Sequence, residues 1–104
     1  MEHVSFVLKI DPDRAEEYKI RHEQVDPELE SQFAKVGIRR YHIFFHEGIL
    51  FAYMEVEDFE EAMKQLSDHP ANIKWQQFMS DMLLAWENGE AVKTIPEMYR
   101  FESE

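Results

Sequence analysis

The chain contains no cysteine, three glycines and half as many basic as acidic residues. Each shortage removes a class of function. Without cysteine there can be no disulfide, no thiolate metal ligand and no cysteine nucleophile. That usage is compatible with a reducing cytoplasm, which is the expected location. The three glycines, Gly37, Gly48 and Gly89, stand at apparent turns or helix ends. No glycine-rich phosphate loop is therefore present, and no serine sits in a nucleophile motif. Eleven Lys and Arg against 22 Asp and Glu leave a net charge of −11. Such a surface repels phosphate backbones, which speaks against a nucleic-acid partner. It also speaks against an anionic substrate steered in from solvent. The N-terminal stretch alternates apolar and polar residues, with no long hydrophobic run and no basic lead. Neither a signal peptide nor a membrane span is expected.

What remains is a chain of 104 residues, 44% of them apolar. That suits a single domain over 1–104 with one modest core. His3 to Ile10 alternates as a strand, with Val4, Phe6, Leu8 and Ile10 on one side. Asp11-Pro12-Asp13 ends it and caps a helix expected from about Pro12 to Val36. Pro27 lacks the N–H that a helix interior needs, so a kink or restart near Val25–Asp26 follows, with Asp26 as the new cap. Ile38–His46 and Ile49–Val56 read as strands joined by a tight Glu47-Gly48 hairpin. Asp58 caps a helix ending near Ser67. Pro70 opens another, with Trp75, Phe78, Met79, Met82, Leu83 and Trp86 as its stripe and Asn88-Gly89 as its stop. Thr94–Phe101 reads as a last strand.

This order is β-α-β-β-α-β with the second helix broken in two. It predicts an α+β, ferredoxin-like fold: an antiparallel four-stranded sheet with helices on one face. The two middle strands nevertheless carry apolar residues on both sides. Leu50, Ala52, Met54 and Val56 oppose Phe51 and Tyr53; Tyr41, Ile43 and Phe45 oppose Phe44. Helices can cover one face only, so the other is expected to meet a second copy, giving a homodimer.

The candidate chemistry centres on Tyr18 and His22. They are four residues apart and share a helix face with Ala15 and Val25. A phenol beside an imidazole on an inward face can handle protons, and imidazole is the side chain most easily tuned across neutral pH. Each also has a plain alternative, as an aromatic or a hydrogen-bonded histidine of the core. The same holds for Tyr41, on a strand, and for Trp75, on the last helical stripe. Phenols and indoles near a proton-handling group suit a sugar, whose C–H faces are apolar. A metal centre is not expected. His42 and His46 lie on one strand face but roughly 13 Å apart, and His3 and His69 have no spacing partner.

Taken in order, Tyr18-x3-His22-x4-Pro27-Glu28-Leu29, Gly37, Tyr41-x-Ile43, Leu50-Phe51-Ala52-Tyr53-x-Glu55-Val56, Trp75-x3-Met79 and Glu97 resemble the L-rhamnose mutarotase family along nearly the whole chain. The resemblance implies a dimeric α/β barrel of ferredoxin-like subunits. It implies interconversion of the α and β anomers of a deoxyhexose, without cofactor or metal. It implies His22 as catalytic acid/base, and Tyr18, Tyr41 and Trp75 as sugar contacts. Two positions depart from the family pattern. Asp26 stands where a tryptophan usually precedes Pro-Glu-Leu, and Gln76 follows Trp75 where a second tryptophan is common. Polar residues at both places would offer hydrogen bonds to hydroxyls, which makes L-fucose a candidate beside L-rhamnose. Two other readings use the same architecture: a cofactor-free monooxygenase or isomerase of aromatic or lactone substrates, and a non-catalytic small-ligand-binding dimer.

Overall fold

The computed structural model describes residues 1–103. Strand β1 spans Glu2–Ile10, followed by a 3₁₀ turn at Pro12–Arg14 and helices α1, Ala15–His22, and α2, Pro27–Lys35. Strands β2, Ile38–His46, and β3, Ile49–Val56, come next, then helices α3, Phe59–Ser67, and α4, Pro70–Met79. Two short strands close the order: β4, Leu83–Leu84, and β5, Lys93–Ile95.

The sheet runs β2-β3-β1, with β4 and β5 both pairing the far side of β1, antiparallel throughout. This is the ferredoxin-like order expected from the sequence, with five strands rather than four because the last strand position beside β1 is shared by two short segments, β4 and β5. Phe6, Leu8 and Ile10 of β1 join Leu50, Ala52, Met54 and Val56 of β3 in the core, with Ala62 and Leu66 of α3 above them. Leu29 anchors α2 with 1% of its surface exposed.

Local signals set several boundaries. The expected long helix stops at His22 and restarts at Pro27, where the Asp26 side chain accepts from the Glu28 N–H at 2.9 Å. Its first turn is 3₁₀ rather than α. Glu47 and Gly48 both have positive φ, 48° and 87°. That is the backbone of a two-residue hairpin turn whose twist matches its strands. A bulge between Ile38 and Arg40 shifts the β2–β3 register. Ile38 and Tyr41, three residues apart, thereby point to the same face, which strict alternation forbids.

Two expectations at the C-terminal end are corrected. The last helix does not run to Asn88. It ends at Met79, and Leu83 and Leu84 pair with Ile10 and Lys9 of β1. Two arginines, Arg14 at the end of the 3₁₀ turn and Arg21 in the last turn of α1, hold that end. Arg21 donates to the Phe78 carbonyl and to Asp81, both at 2.8 Å, and Arg14 donates to Asp81 at 2.8 Å. Phe78 carbonyl and Asp81 carboxylate are thus satisfied by cations, as suits a helix C-terminus. The Arg21 and Arg14 hydrogen bonds hold the Asp81 carboxyl well below the usual carboxylate range.

The last strand covers Lys93–Ile95 rather than Thr94–Phe101, and residues 96–103 have no regular structure. Between β4 and β5 the chain makes a tight loop, in which Trp86 N–H donates to the Glu90 carbonyl at 2.8 Å. The Trp86 indole N–H donates to the Val7 carbonyl at 3.2 Å. Trp86 is therefore a clasp on the β1 edge, not part of a helical stripe.

Candidate active site

The four residues singled out from the sequence line one cavity of about 600 Å³ between the sheet and the helices. The volume is within the range of small-molecule sites. Helix α1 brings Tyr18 and His22 because i and i+4 share a face. The bulge in β2 turns Tyr41 toward the same space, and α4 supplies Trp75. None of the α1 residues is fully buried; Ala15, Tyr18 and His22 are half-buried. The stripe expected to be core is therefore in part a cavity wall.

The aromatic groups are in contact. The Tyr18 and His22 rings stack with centroids 4.3 Å apart, and Trp75 meets His22 edge-on at 5.1 Å. Tyr41 is wedged between Phe6, at 6.1 Å, and Phe33, at 5.9 Å. Tyr18, His22 and Tyr41 also border a second cavity of about 490 Å³ that opens between α1 and the edge strand β2.

One hydrogen bond orders the imidazole. His22 Nδ1 lies 3.0 Å from the Tyr18 carbonyl oxygen. A carbonyl only accepts, so Nδ1 carries the proton. In the neutral ring Nε2 is then the unprotonated nitrogen, and among the described residues it has no hydrogen-bond partner nearer than the cavity. Neither phenol hydroxyl of Tyr18 and Tyr41, nor the Trp75 N–H, makes a hydrogen bond within the described residues, yet no buried polar side-chain atom is orphaned. The Tyr18 hydroxyl and the Trp75 N–H therefore border open space where a ligand or water can reach them, and Tyr41 is itself 37% exposed.

Burial pushes the Tyr18 phenol well above the usual phenol range, with a smaller contribution from Tyr41. Loss of hydration pushes the Tyr41 phenol up to about 12. Both are hydrogen-bond donors across the neutral range. A raised phenol pKa means that the folded chain keeps protons that the unfolded chain has released. Stability is therefore full below the ordinary phenol value of about 10 and falls as pH rises toward 12. Urea midpoints measured from pH 8 to 11 are expected to decline, and Tyr18→Phe with Tyr41→Phe to flatten that decline. Tyr53, raised by loss of hydration and by Glu55, adds the same sign, so some slope persists. An unchanged slope in the double variant would place the alkaline loss elsewhere.

The other cavity residues, Gln76 apart, carried no sequence signal. Glu30 and Phe33 of α2, Asn72 and Gln76 of α4, and Val92 and Thr94 near β5 all line it. Glu30 is one acid among many, and Val92 and Thr94 arrive only because β5 pairs with β1. Asp26 is not among the lining residues; it is exposed and occupied as the cap of α2. Of the two departures noted in the sequence, only Gln76 touches the site. Among the described residues no three His, Asp or Glu side chains gather as metal ligands.

Comparison with known proteins decides the family. The model of the L-rhamnose mutarotase family matches residues 3–102. The chain belongs to the L-rhamnose mutarotase family. An L-rhamnose mutarotase of Oceanobacillus iheyensis is 31% identical over 96 residues, covering 90% of this chain and 91% of that protein. The crystal structure of an L-rhamnose mutarotase from Formosa agariphila superposes with a TM-score of 0.83 at 27% identity, covering 98% of this chain and all of that one. A tetracenomycin F2 cyclase from Streptomyces glaucescens matches with a TM-score of 0.70 at 20% identity. That second likeness shows the fold alone. Within the mutarotase family, the cavity walled by Tyr18, His22, Tyr41 and Trp75 is the candidate site of this member.

Proposed function

We propose that this chain is an L-rhamnose mutarotase, an anomer-interconverting isomerase in which His22 is the acid/base. The observation that carries the proposal is the fixed imidazole: Nδ1 tied to the Tyr18 carbonyl at 3.0 Å, Nε2 free, and aromatic rings on two sides. Mutarotation opens a cyclic hemiacetal and recloses it on the other face of the aldehyde. The anomeric hydroxyl must lose a proton while the ring oxygen gains one; closure reverses both. Nε2 can take the proton of the anomeric hydroxyl and, as imidazolium, hand it to the ring oxygen on the same carbon; closure reverses the transfer. The Tyr18 and Tyr41 phenols, held protonated by burial, can hydrogen-bond the ring oxygen or the open aldehyde. Trp75 offers an apolar face to the sugar's C–H side. The open-chain intermediate rotates about one bond before closing, and a cavity of about 600 Å³ leaves room for that.

L-rhamnose is the proposed substrate. The case for L-fucose rests on Asp26 and Gln76 together; Asp26 is engaged at the α2 N-terminus, which leaves Gln76 alone at the cavity wall. We further propose a single cytoplasmic mutarotase domain acting as a homodimer. Support for the dimer lies on the sheet face away from the helices, where Phe44 is 64% and Phe51 39% exposed. Beyond the sheet, Met98, Tyr99 and Phe101 are 76–89% exposed and extend the apolar surface. No helix among the described residues is long and apolar enough to cross a membrane.

Anomeric exchange followed by NMR tests the function. L-rhamnose, L-fucose, L-lyxose and their D counterparts form the panel. Faster exchange of L-rhamnose than of the others, retained after EDTA treatment, is expected. Exchange at the uncatalysed rate for every sugar would overturn the assignment.

A further inference from the structure

We infer that Glu30, backed by Gln76 and Asn72, is the hydroxyl-reading lip of the cavity and selects sugars carrying a vicinal diol. The inference rests on the mutarotase reading of the same cavity and names what that cavity recognises.

The cavity's polar groups are unevenly matched to a sugar. Each sugar hydroxyl donates one hydrogen bond as well as accepting. The indole N–H of Trp75 can only donate, and the two phenols can donate and accept. The imidazole supplies one acceptor, Nε2, which the reaction itself uses. Beyond the neutral phenol and hydroxyl oxygens of the wall, a charged acceptor has to come from elsewhere. Glu30 is the only carboxylate among the lining residues, and neither lysine nor arginine lines this cavity. Glu30 is exposed, and its side chain forms no ion pair or hydrogen bond within the described residues. A carboxylate without partners presents two acceptor oxygens side by side. Two neighbouring sugar hydroxyls can donate one to each, as charge-assisted hydrogen bonds.

The lip has a backing on α4, which packs beside α2. Asn72 is tied down, its Nδ2 donating to the Leu66 carbonyl at 3.0 Å. The Asn72 carbonyl oxygen in turn receives Gln76 Nε2 at 3.5 Å, a loose contact. The Gln76 carbonyl oxygen has no partner among the described residues, and Gln76 lines the same cavity as Glu30, a third acceptor there. Asn72 is a positioning residue, and Glu30 and Gln76 are specificity-determining ones.

Glu30→Ala and Glu30→Gln test this. Both keep good helix formers on an exposed helix position, so the fold persists. Exchange rates would be measured by NMR for L-rhamnose and for L-rhamnose lacking the C2, C3 or C4 hydroxyl. Glu30→Ala is expected to lower kcat/KM for L-rhamnose roughly 10- to 100-fold, mainly through KM. The wild-type preference for L-rhamnose over at least one deoxy analogue should collapse in the same variant. Glu30→Gln, which keeps one acceptor, should recover part of both. An Ala variant that keeps wild-type KM and the wild-type ranking of analogues would overturn the inference. So would a loss confined to kcat with the ranking kept, because that would make Glu30 a proton carrier. Saturation-transfer NMR of bound L-rhamnose reads the lip without turnover. Binding that depends on Glu30 in a protein that catalyses no exchange would sink the mutarotase reading and leave the lip standing.

Discussion

Replacing His22 by alanine is expected to lower L-rhamnose anomerisation by about 10²–10⁴-fold, the usual contribution of one positioned acid/base. The fold should persist. His22 is half-buried at a cavity wall, and its packing partners are the Tyr18 ring at 4.3 Å and the Trp75 edge at 5.1 Å. Losing such contacts costs about 0.5–1.5 kcal/mol each, against a usual domain stability of about 5–15 kcal/mol. Circular dichroism and thermal melting beside the NMR exchange assay separate the two effects. A folded variant with wild-type rates would make His22 a packing residue. A variant inactive only because it is unfolded would do the same. Trp75→Phe provides the contrast. It keeps an aromatic edge against the imidazole, so the expected change lies in KM rather than in kcat.

Phe51→Asp is expected to break the proposed dimer. Phe51 lies directly opposite Phe44 on β2 and Val7 on β1, so it stands at the middle of the outer sheet face. Truncating a central interface aromatic typically costs about 2 kcal/mol or more, roughly thirty-fold in dissociation constant. Placing a carboxylate there adds the cost of burying an unpaired charge. Light scattering over a dilution series should show wild-type dimers at micromolar concentration and Phe51→Asp monomers. Ile20→Asp, on an exposed position of α1, should leave the dimer intact. A wild-type chain that is a stable monomer, or a Phe51→Asp chain that stays dimeric, would remove this face from the interface.

How far each element was legible follows from the range of the forces that make it. The β1 strand, the Glu47-Gly48 hairpin and the three side-chain caps at Asp11, Asp26 and Asp58 are local. Alternation, positive φ and a side-chain oxygen near free N–H groups all act within a few residues, so the sequence displays them. The C-terminal stretch departs from its helical spacing because that local signal is real but outvoted. Met79, Met82 and Leu83 do have helical spacing, and Met79 and Met82 are buried. The helix nevertheless stops where Arg14 and Arg21, about sixty residues earlier in the chain, reach Asp81 and the Phe78 carbonyl. The unpaired edge of β1 then recruits Leu83–Leu84 and Lys93–Ile95 as strands. Such long-range pairing overrides local propensity and leaves no trace in spacing.

The sequence by itself determined the ferredoxin-like element order, the α1 face that carries both Tyr18 and His22, and the family. It also determined that Asp26 would cap α2, because a carboxylate before Pro27 has free N–H groups within reach. Tertiary structure alone decided that Tyr41 and Trp75 meet that face across a cavity, since the β2 bulge and the end of α4 set their directions. It alone decided the proton position on His22, because the partner of Nδ1 is a carbonyl in the turn before it, presented only once the helix has formed. It alone excluded Asp26 from the site and admitted Glu30. Those two acids stand four positions apart, a little over one helical turn, and only the packing of α2 against α4 says which of them borders the cavity.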